Sequence, residues 1–337
     1  MPTEARITLD HGSGGTAMRK LIADIILSRV SSESLADLAD SAVVTFNGQS
    51  LAYTTDSYVV QPLFFPGGDI GKLAVCGTVN DLLVVGAKPR VLSLGLILEE
   101  GLPVSTLEQI MDSIAATAKL ADVKIVTGDT KVVPRGKCDM LFINTSGIGT
   151  IPFGNGMSSS PIVIGDKILV SGTLGEHALA ILGARESNEF THAIQSDCAP
   201  LVELVESLLM KHTGIKWMRD ATRGGVAAVL DELSAMSASL IEIDESSLPV
   251  QGATRSLCEL LGFDPLHLAN EGKIVLVAEA TQASGVLQTM KTCSHGEDAA
   301  IIGEVIGQEN ASVIVRTPGG GHRRLRRPTG ELLPRIC

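Results

Sequence analysis

Short apolar runs alternate with longer apolar or amphipathic stretches through the first half of the chain, a pattern that predicts strands and helices in succession. Leu51 to Val60 reads as a strand ending in polar residues. Asp69 is of the residue type that caps a helix, and one is predicted from it through Val85, with Ile70, Leu73, Val79 and Leu83 as apolar positions. Val91 to Leu98 predicts a buried strand. Ser105-Thr106-Leu107-Glu108 matches a capping box, opening a helix to about Leu120. Val123–Thr127 and Met140–Ile148 predict further strands.

The pattern breaks at Pro152, Gly154, Asn155 and Gly156, followed by Ser158-Ser159-Ser160-Pro161, a run of turn formers that reads as a domain boundary. A second α/β pattern starts at Lys167–Val170. Helices are predicted at Ala199–His212, Arg223–Met236 and Gln251–Leu261, and strands at Ile274–Ala278 and Ala300–Ile306. The expected organisation is an N-terminal domain over 1–155, a C-terminal α/β domain over 160–316, and a mobile tail over 317–337 that begins near the glycines 319–321. Strand order does not follow from this pattern.

Composition narrows the classes. At 337 residues, two domains are the natural reading, and 45% hydrophobic residues supply enough apolar surface to fold without metal or disulfide staples. Aromatics at 3% and a net charge of −11 argue against a nucleic-acid surface. Neither a basic-then-apolar leader nor an unbroken apolar span is present, and the six cysteines form no CxxC pair or zinc spacing, so free thiols in the cytoplasm are expected. From His322 onward five arginines face one acid, Glu331: a basic tail on an acidic body, able to fold back on it or to meet another acidic protein. The tail ends in Pro334-Arg335-Ile336-Cys337, which puts a thiol beside the terminal carboxylate, an arrangement suited to carrying a covalently bound group but on position alone equally an ordinary exposed terminus.

Three segments share a design in which an apolar run ends in an aspartate next to a hydroxyl residue: Thr54-Thr55-Asp56-Ser57, Thr127-Gly128-Asp129-Thr130 and Arg219-Asp220-Ala221-Thr222. Carboxylates at strand ends project into the crevice where sheet proteins hold ligands, and hard oxygen ligands suit Mg²⁺. Taken singly, each is also an ordinary turn or cap. Asn80-Asp81 lies inside an apolar helix, where an uncompensated buried carboxylate is costly, so either that side of the helix faces solvent or Asp81 meets a cation. His11-Gly12-Ser13-Gly14-Gly15-Thr16 precedes a helical stretch from Ala17 to Leu27 and could expose backbone N–H groups to an anion. It lacks the dinucleotide spacing, and Gly67-Gly68-Asp69-Ile70-Gly71-Lys72 is too short for a Walker A loop. Lys131 and Glu271 stand beside these loops, with the chemistry to neutralise phosphate and to move a proton, although either could be a plain surface charge.

The motifs together resemble the HypE family of hydrogenase expression/formation proteins. The resemblance is carried by Asp10-His11-Gly12-Ser13-Gly14-Gly15, Phe64-Phe65-Pro66-Gly67-Gly68-Asp69-Ile70-Gly71-Lys72-Leu73, Thr78-Val79-Asn80-Asp81-Leu82 and Gly128-Asp129-Thr130-Lys131-Val132-Val133. Met218-Arg219-Asp220-Ala221-Thr222-Arg223-Gly224-Gly225, Asn270-Glu271-Gly272 and the Pro-Arg-Ile-Cys ending complete it, with Ala221 where relatives often have Pro. It implies a two-domain α+β fold like aminoimidazole ribonucleotide synthetase, dimeric through the mixed sheet of the N-terminal domain, with a flexible tail. It also implies an ATP-dependent enzyme that dehydrates a carbamoyl group on Cys337 from thiocarboxamide to thiocyanate, as the source of the cyanide ligands of [NiFe] hydrogenase. A carbamoyltransferase, HypF, would load the thiol, and the HypC–HypD complex would receive the cyanide at its iron. Asp56, Asp81, Asp129 and Asp220 would hold Mg²⁺; Gly14, Gly15, Thr130 and Asn270 would join them around ATP; Lys131 and Glu271 would act with Cys337 in catalysis. The competing expectations are another ATP enzyme of the same superfamily, such as aminoimidazole ribonucleotide synthetase, selenophosphate synthetase or thiamine monophosphate kinase, and a non-enzymatic scaffold with a docking tail.

Overall fold

The computed structural model describes residues 6–12, 14–30, 39–152, 157–186, 194–308, 310–328, 333 and 335–337. Ser13, the Gly154-Asn155-Gly156 part of the expected boundary and Pro334 lie outside the described residues. Helix α1 (Thr16–Leu21) continues as a wider helical turn over Ile22–Leu27, ahead of strands β1 (Ala42–Phe46) and β2 (Gln49–Tyr58). A two-residue hairpin, β3 (Phe64–Phe65) with β4 (Gly68–Asp69), leads into α2 (Ile70–Val84). Then come β5 (Lys88–Glu99), α3 (Val104–Leu120), β6 (Lys124–Val133) and β7 (Leu141–Thr150). The five longer strands form one sheet in the order β1-β2-β7-β5-β6, in which only β5 and β6 run parallel, joined by the α3 crossover.

The second half opens with β8 (Lys167–Val170), α4 (Glu176–Glu186), α5 (Val202–Lys211), β9 (Ile215–Asp220) and α6 (Gly225–Ser237). It continues through β10 (Ser239–Asp244), α7 (Gly252–Leu261), β11 (Ile274–Ala278), α8 (Ala283–Lys291), β12 (Ala300–Gln308), β13 (Ser312–Arg316) and β14 (His322–Leu325). Its seven strands lie in the order β14-β13-β10-β12-β8-β11-β9. The expected tail therefore starts too early. The glycines 319–321 form a turn closed by Thr317 N–H on Gly321 O, with Gly320 at φ +82°, and His322–Leu325 returns along β13 as an edge strand. Among the described residues no helix is long and apolar enough to cross a membrane.

Helix α2 explains how the halves meet. It is apolar all round, which a helix sustains only when buried on every side, and 13 of its residues are buried. Asp69 caps it, accepting Gly71 N–H at 2.7 Å and Lys72 N–H at 3.1 Å. One side packs on β2, β7 and α3, the other on β9 and α5 of the second half. One core thus runs through both domains, from Tyr58, Leu73 and Ile114 to Leu201, Leu204 and Ile274. Close approach demands Gly77: a Cβ there would run into the Tyr58 hydroxyl. The capping box expected at Ser105 is absent. Helix α3 already includes Val104, its N-cap is Pro103, and no side chain caps it. The other predicted helices begin within a few residues of expectation, whereas α4 and α8, and strands β1, β9, β10, β13 and β14, lie outside the predicted elements.

Candidate active site between the two domains

Five acids and a thiol meet where α2 is clasped. Asp81 projects from the last turns of α2, Asp56 from the helix-facing side of β2, Asp40 from the entry to β1, and Asp220 from the end of β9. Because β9 and β11 are antiparallel, with Asp220 opposite Ile274, the loop entering β11 lies at the same edge and presents Glu271. Asp40, Asp56, Asp81, Asp220, Glu271 and Cys337 line one cavity of about 190 Å³ with Thr54, Thr222 and Arg223. One carboxylate oxygen each from Asp40, Asp81 and Asp220 lies within 4.8 Å of the others. Burial, then mutual repulsion, pushes the Asp81 and Asp220 carboxyls well above the usual carboxylate range. Asp40 is raised by burial too, against the pull of Arg219, whose Nε donates to it at 2.8 Å.

Thr54 makes the consequence visible. Its hydroxyl lies 2.8 Å from Asp40 O and 2.8 Å from Asp81 Oδ2, and it has one proton to give. Both contacts are satisfied when Thr54 donates to the carbonyl and a protonated Asp81 donates to Thr54. Three converging acids of this kind, Asp220 buried and Asp40 and Asp81 half-buried, are a donor set suited to a divalent cation, which would displace such protons.

Glu271 is held by its neighbours rather than by its own carboxyl. Its N–H donates to Asp197 Oδ1 at 3.0 Å and Gly272 N–H to Asp197 Oδ2 at 3.2 Å, while Lys273 pairs with Asp197 at 3.2 Å. Asn80 of α2 donates to Ala199 O at 3.0 Å and to Glu271 O at 3.4 Å, and accepts Leu201 N–H at 3.0 Å, so the amide noted beside Asp81 ties α2 to this loop. The Glu271 carboxyl is buried, its Oε1 has no hydrogen-bond partner among the described residues, and burial with nearby acids raises it well above its usual range. A carboxyl in that condition is poised to exchange a proton with whatever enters the pocket.

Cys337 closes the cavity from the tail. Its backbone O accepts Val59 N–H at 3.1 Å, and Ile336 packs into the core beside it. Burial lifts its thiol to about 12, with Arg223 opposing the shift. Arg223 also lies 3.8 Å from Asp56 and supports Gly14, where a Cβ would come within 2.9 Å of the Arg223 Cβ.

Asp56, Asp81, Asp220, Glu271 and Cys337 are thus brought together, and Asp40, Arg223 and Asp197 join them without having been singled out from the sequence. Asp40 stands before its strand rather than at the end of an apolar run, so the pattern that found the others passes over it. Gly14 lines an adjoining 500 Å³ recess that shares Asp40, Asp220, Thr222 and Arg223 with the pocket, whereas Gly15 is the N-cap of α1 and lines neither. Asn270 faces inward: it accepts Gly175 N–H at 2.8 Å and donates to Ala221 O and Leu268 O, so it shapes the Glu271 loop instead of lining the cavity. Asp129, Thr130 and Lys131 lie elsewhere. Asp129 pairs with Gly95, Gly95 with Asn144 and Asn144 with Ser57, which places it three strand spacings, about 14 Å, across the sheet. It projects from the open face of exposed edge strand β6, 2.7 Å from Lys131 Nζ.

Residues 38–151 match the family "AIR synthase related protein, N-terminal domain", and 163–316 match "AIR synthase related protein, C-terminal domain". The chain is 48% identical to the carbamoyl dehydratase HypE of Escherichia coli K12, over 98% of this chain and 99% of that one. It is 45% identical to the carbamoyl dehydratase HypE of Rhodobacter capsulatus, over 99% of each. Among solved structures, one of a HypE–HypF complex aligns at TM-score 0.86 and 48% identity, covering 91% of this chain and 99% of that chain. HypE in complex with ATP aligns at 0.82 and 45%, covering 98% of this chain and all of the other. A thiamine monophosphate kinase from Aquifex aeolicus, 19% identical with TM-score 0.66 over 88% of this chain and 98% of that one, shares the fold alone. With nearly full-length identity to curated carbamoyl dehydratases and both AIR-synthase-type domains in order, this chain belongs to the HypE family of carbamoyl dehydratases.

Proposed function

We propose that the chain dehydrates a carboxamide carried on Cys337 to a thiocyanate, using ATP, to supply cyanide for [NiFe] hydrogenase. The observation that carries this reading is the terminal thiol lining one cavity with Asp40, Asp56, Asp81, Asp220 and Glu271. An amide oxygen is a poor leaving group. When it bonds to the γ-phosphorus of ATP and the bond to ADP breaks, it becomes one that can depart as phosphate. The C–O bond then breaks, both N–H protons leave, and C≡N forms; the water lost from the amide is the water that hydrolyses ATP. Transfer of this kind depends on in-line placement and charge neutralisation, which Mg²⁺ supplies.

Asp40, Asp81 and Asp220 would hold the metal, with Asp56 next to them, and the recess walled by Gly14 and Arg219 would receive the nucleotide on the side the acids share. Asp129 carries the same motif but stands across the sheet from the other acids, and its position favours a different account, in which the open face and free edge of the first sheet meet a second copy. Asp129, Thr130 and Lys131 of one copy would then serve the pocket of the other, and Lys131 would neutralise phosphate there. Glu271 takes an amide proton. Cys337 acts as carrier and needs no thiolate while docked. Loading does need the thiolate, which a free cysteine reaches near 8.5, so the arm must leave the pocket to meet a carbamoyltransferase of the HypF type. A relative crystallised as a HypE–HypF complex supports that partner, and one crystallised with ATP supports the nucleotide. The HypC–HypD complex would receive the cyanide, in a cytoplasm reducing enough to keep the carrier thiol free.

Intact-mass spectrometry after incubation with the carbamoyltransferase, carbamoyl donor and ATP tests this directly. The carboxamide should form on Cys337 and then lose one water. A carboxamide that persists with Mg-ATP present sinks the reading.

A further inference from the structure

Each main-chain carbonyl of the last three residues is met by a donor from the body of the protein. Cys337 O takes Val59 N–H at 3.1 Å, and Arg335 O takes Gln61 N–H at 3.4 Å together with the Arg185 guanidinium. Ile336 O lies 2.6 Å from Nε2 of His177. The Arg335 side chain turns back to Val59 O at 2.8 and 3.0 Å and pairs with Asp139. Of the side chains that grip these carbonyls, only His177 has no exposure at all.

His177 stands on α4 with its ring edge-on to Phe65, centroids 5.5 Å apart. Its Nδ1 is 2.8 Å from Ser196 Oγ, which in turn accepts Cys198 N–H at 3.1 Å. A carbonyl can only accept, so Nε2 carries the hydrogen and Nδ1 accepts from the Ser196 hydroxyl. Burial lowers the ring's pKa, in keeping with the neutral form this arrangement requires. Without the arm, Nε2–H would be a buried donor that has lost its acceptor.

We infer that His177, set in one tautomer by Ser196, is the positioning residue that fixes the register of the terminal arm and so holds the Cys337 sulfur in the acid pocket. It does not line the acid cavity and takes no part in the chemistry. The inference rests on the dehydratase reading for its purpose, but the docking itself can be measured without it. A histidine that merely packed α4 would leave the reactivity of the thiol, far along the chain from it, untouched by a change that preserves the fold.

The test compares His177→Ala, His177→Gln and Ser196→Ala with the unmodified full chain. The first readout is the rate at which iodoacetamide alkylates Cys337, followed on the C-terminal peptide. The second is single-turnover dehydration of chain already carbamoylated, at saturating Mg-ATP. Loss of the buried hydrogen bond should raise the alkylation rate of His177→Ala about tenfold or more and lower dehydration by a similar factor, with nucleotide affinity unchanged. His177→Gln, whose amide can place a donor near Nε2, should recover most of both; Ser196→Ala should fall between. Equal alkylation in His177→Ala and the parent overturns the inference, as does a His177→Gln no better than His177→Ala. Should His177→Ala not fold, an unchanged alkylation rate in Ser196→Ala overturns it instead. If alkylation follows the expected order while even the parent fails to dehydrate, the latch stands and the dehydratase reading falls.

Discussion

The acid pocket and the open face of the first sheet are built from the same local sequence design and end in opposite environments. Asp56 and Asp220 terminate apolar runs next to hydroxyl residues and are drawn into a cavity lined also by Asp81 of α2 and Cys337 of the arm. Asp129 has the same neighbours, yet stands in solvent on an edge strand, paired with Lys131. The difference comes from what covers each strand. Strand β2 has α2 and the second domain against it, whereas β6 has a neighbour only on the β5 side, and Val126 and Val132 beside the motif are 59% and 69% exposed. An apolar strand edge left bare is a template for another chain. One chain therefore holds Cys337 and the clustered acids in its own pocket, and the reading proposed above takes Lys131 from a second copy.

The sharpest way to break that division is to remove the carrier. Cys337→Ala should abolish thiocyanate formation and leave nucleotide affinity near that of the parent; a loss of ATP binding would mean that the arm is part of the nucleotide site. Next in size, Glu271→Gln should slow dehydration by about a hundredfold or more, the usual contribution of a positioned acid–base group, without changing the docking of Cys337. Lys131→Ala should also slow dehydration, and mixing it with Glu271→Gln should restore activity if Lys131 of one copy serves Glu271 of the other. Mixed dimers as inactive as either parent would put both residues in one chain's site or leave Lys131 idle. Asp81→Asn should weaken Mg-nucleotide binding by about tenfold, measured by calorimetry; unchanged affinity removes Asp81 from the metal set.

The smallest expected effect is a proton count. Asp81 and Asp220 hold raised pKa values in the pocket, so at a pH below them they are protonated, and a cation must displace those protons to bind. Binding of Mg-nucleotide should release protons and tighten as pH rises, which calorimetry in two buffers of different ionisation enthalpy detects. The thiol works in the opposite sense. Its docked value near 12 exceeds that of a free cysteine, so docking is fully favoured below about 8.5 and weakens as pH climbs from there towards 12.

Much of this was legible in the sequence where local chemistry and final environment agree. An all-round apolar helix beginning at Asp69 can only be buried, so Asp81 within it had to meet something polar, and it meets Thr54, Asp40 and Asp220. Legibility failed where a strand owes its place to its partners. His322–Leu325 reads as basic tail because only Leu325 is buried; the pairing with β13 makes it a strand. The capping box failed because Pro103, with its fixed φ, is the N-cap and α3 starts at Val104, so Ser105 already lies inside the helix. Asp40, Asp197 and His177 were invisible for another reason: each acts through a residue distant in the chain, Arg219, Glu271 and Ile336 respectively, and no spacing rule links them.

Arg327 gives the arm its radius. It is tied to Gly14 O, Ala228 O and Glu232, so the chain is anchored there whatever the last residues do. Ten residues separate that anchor from the sulfur, and at full stretch they span about 35 Å. A donor or acceptor of the carried group must therefore bring its own reactive centre inside a sphere of that size around Arg327, which turns a question about partner affinity into one of leash length: shortening the segment by a few residues should cut off delivery before it impairs the chemistry at home.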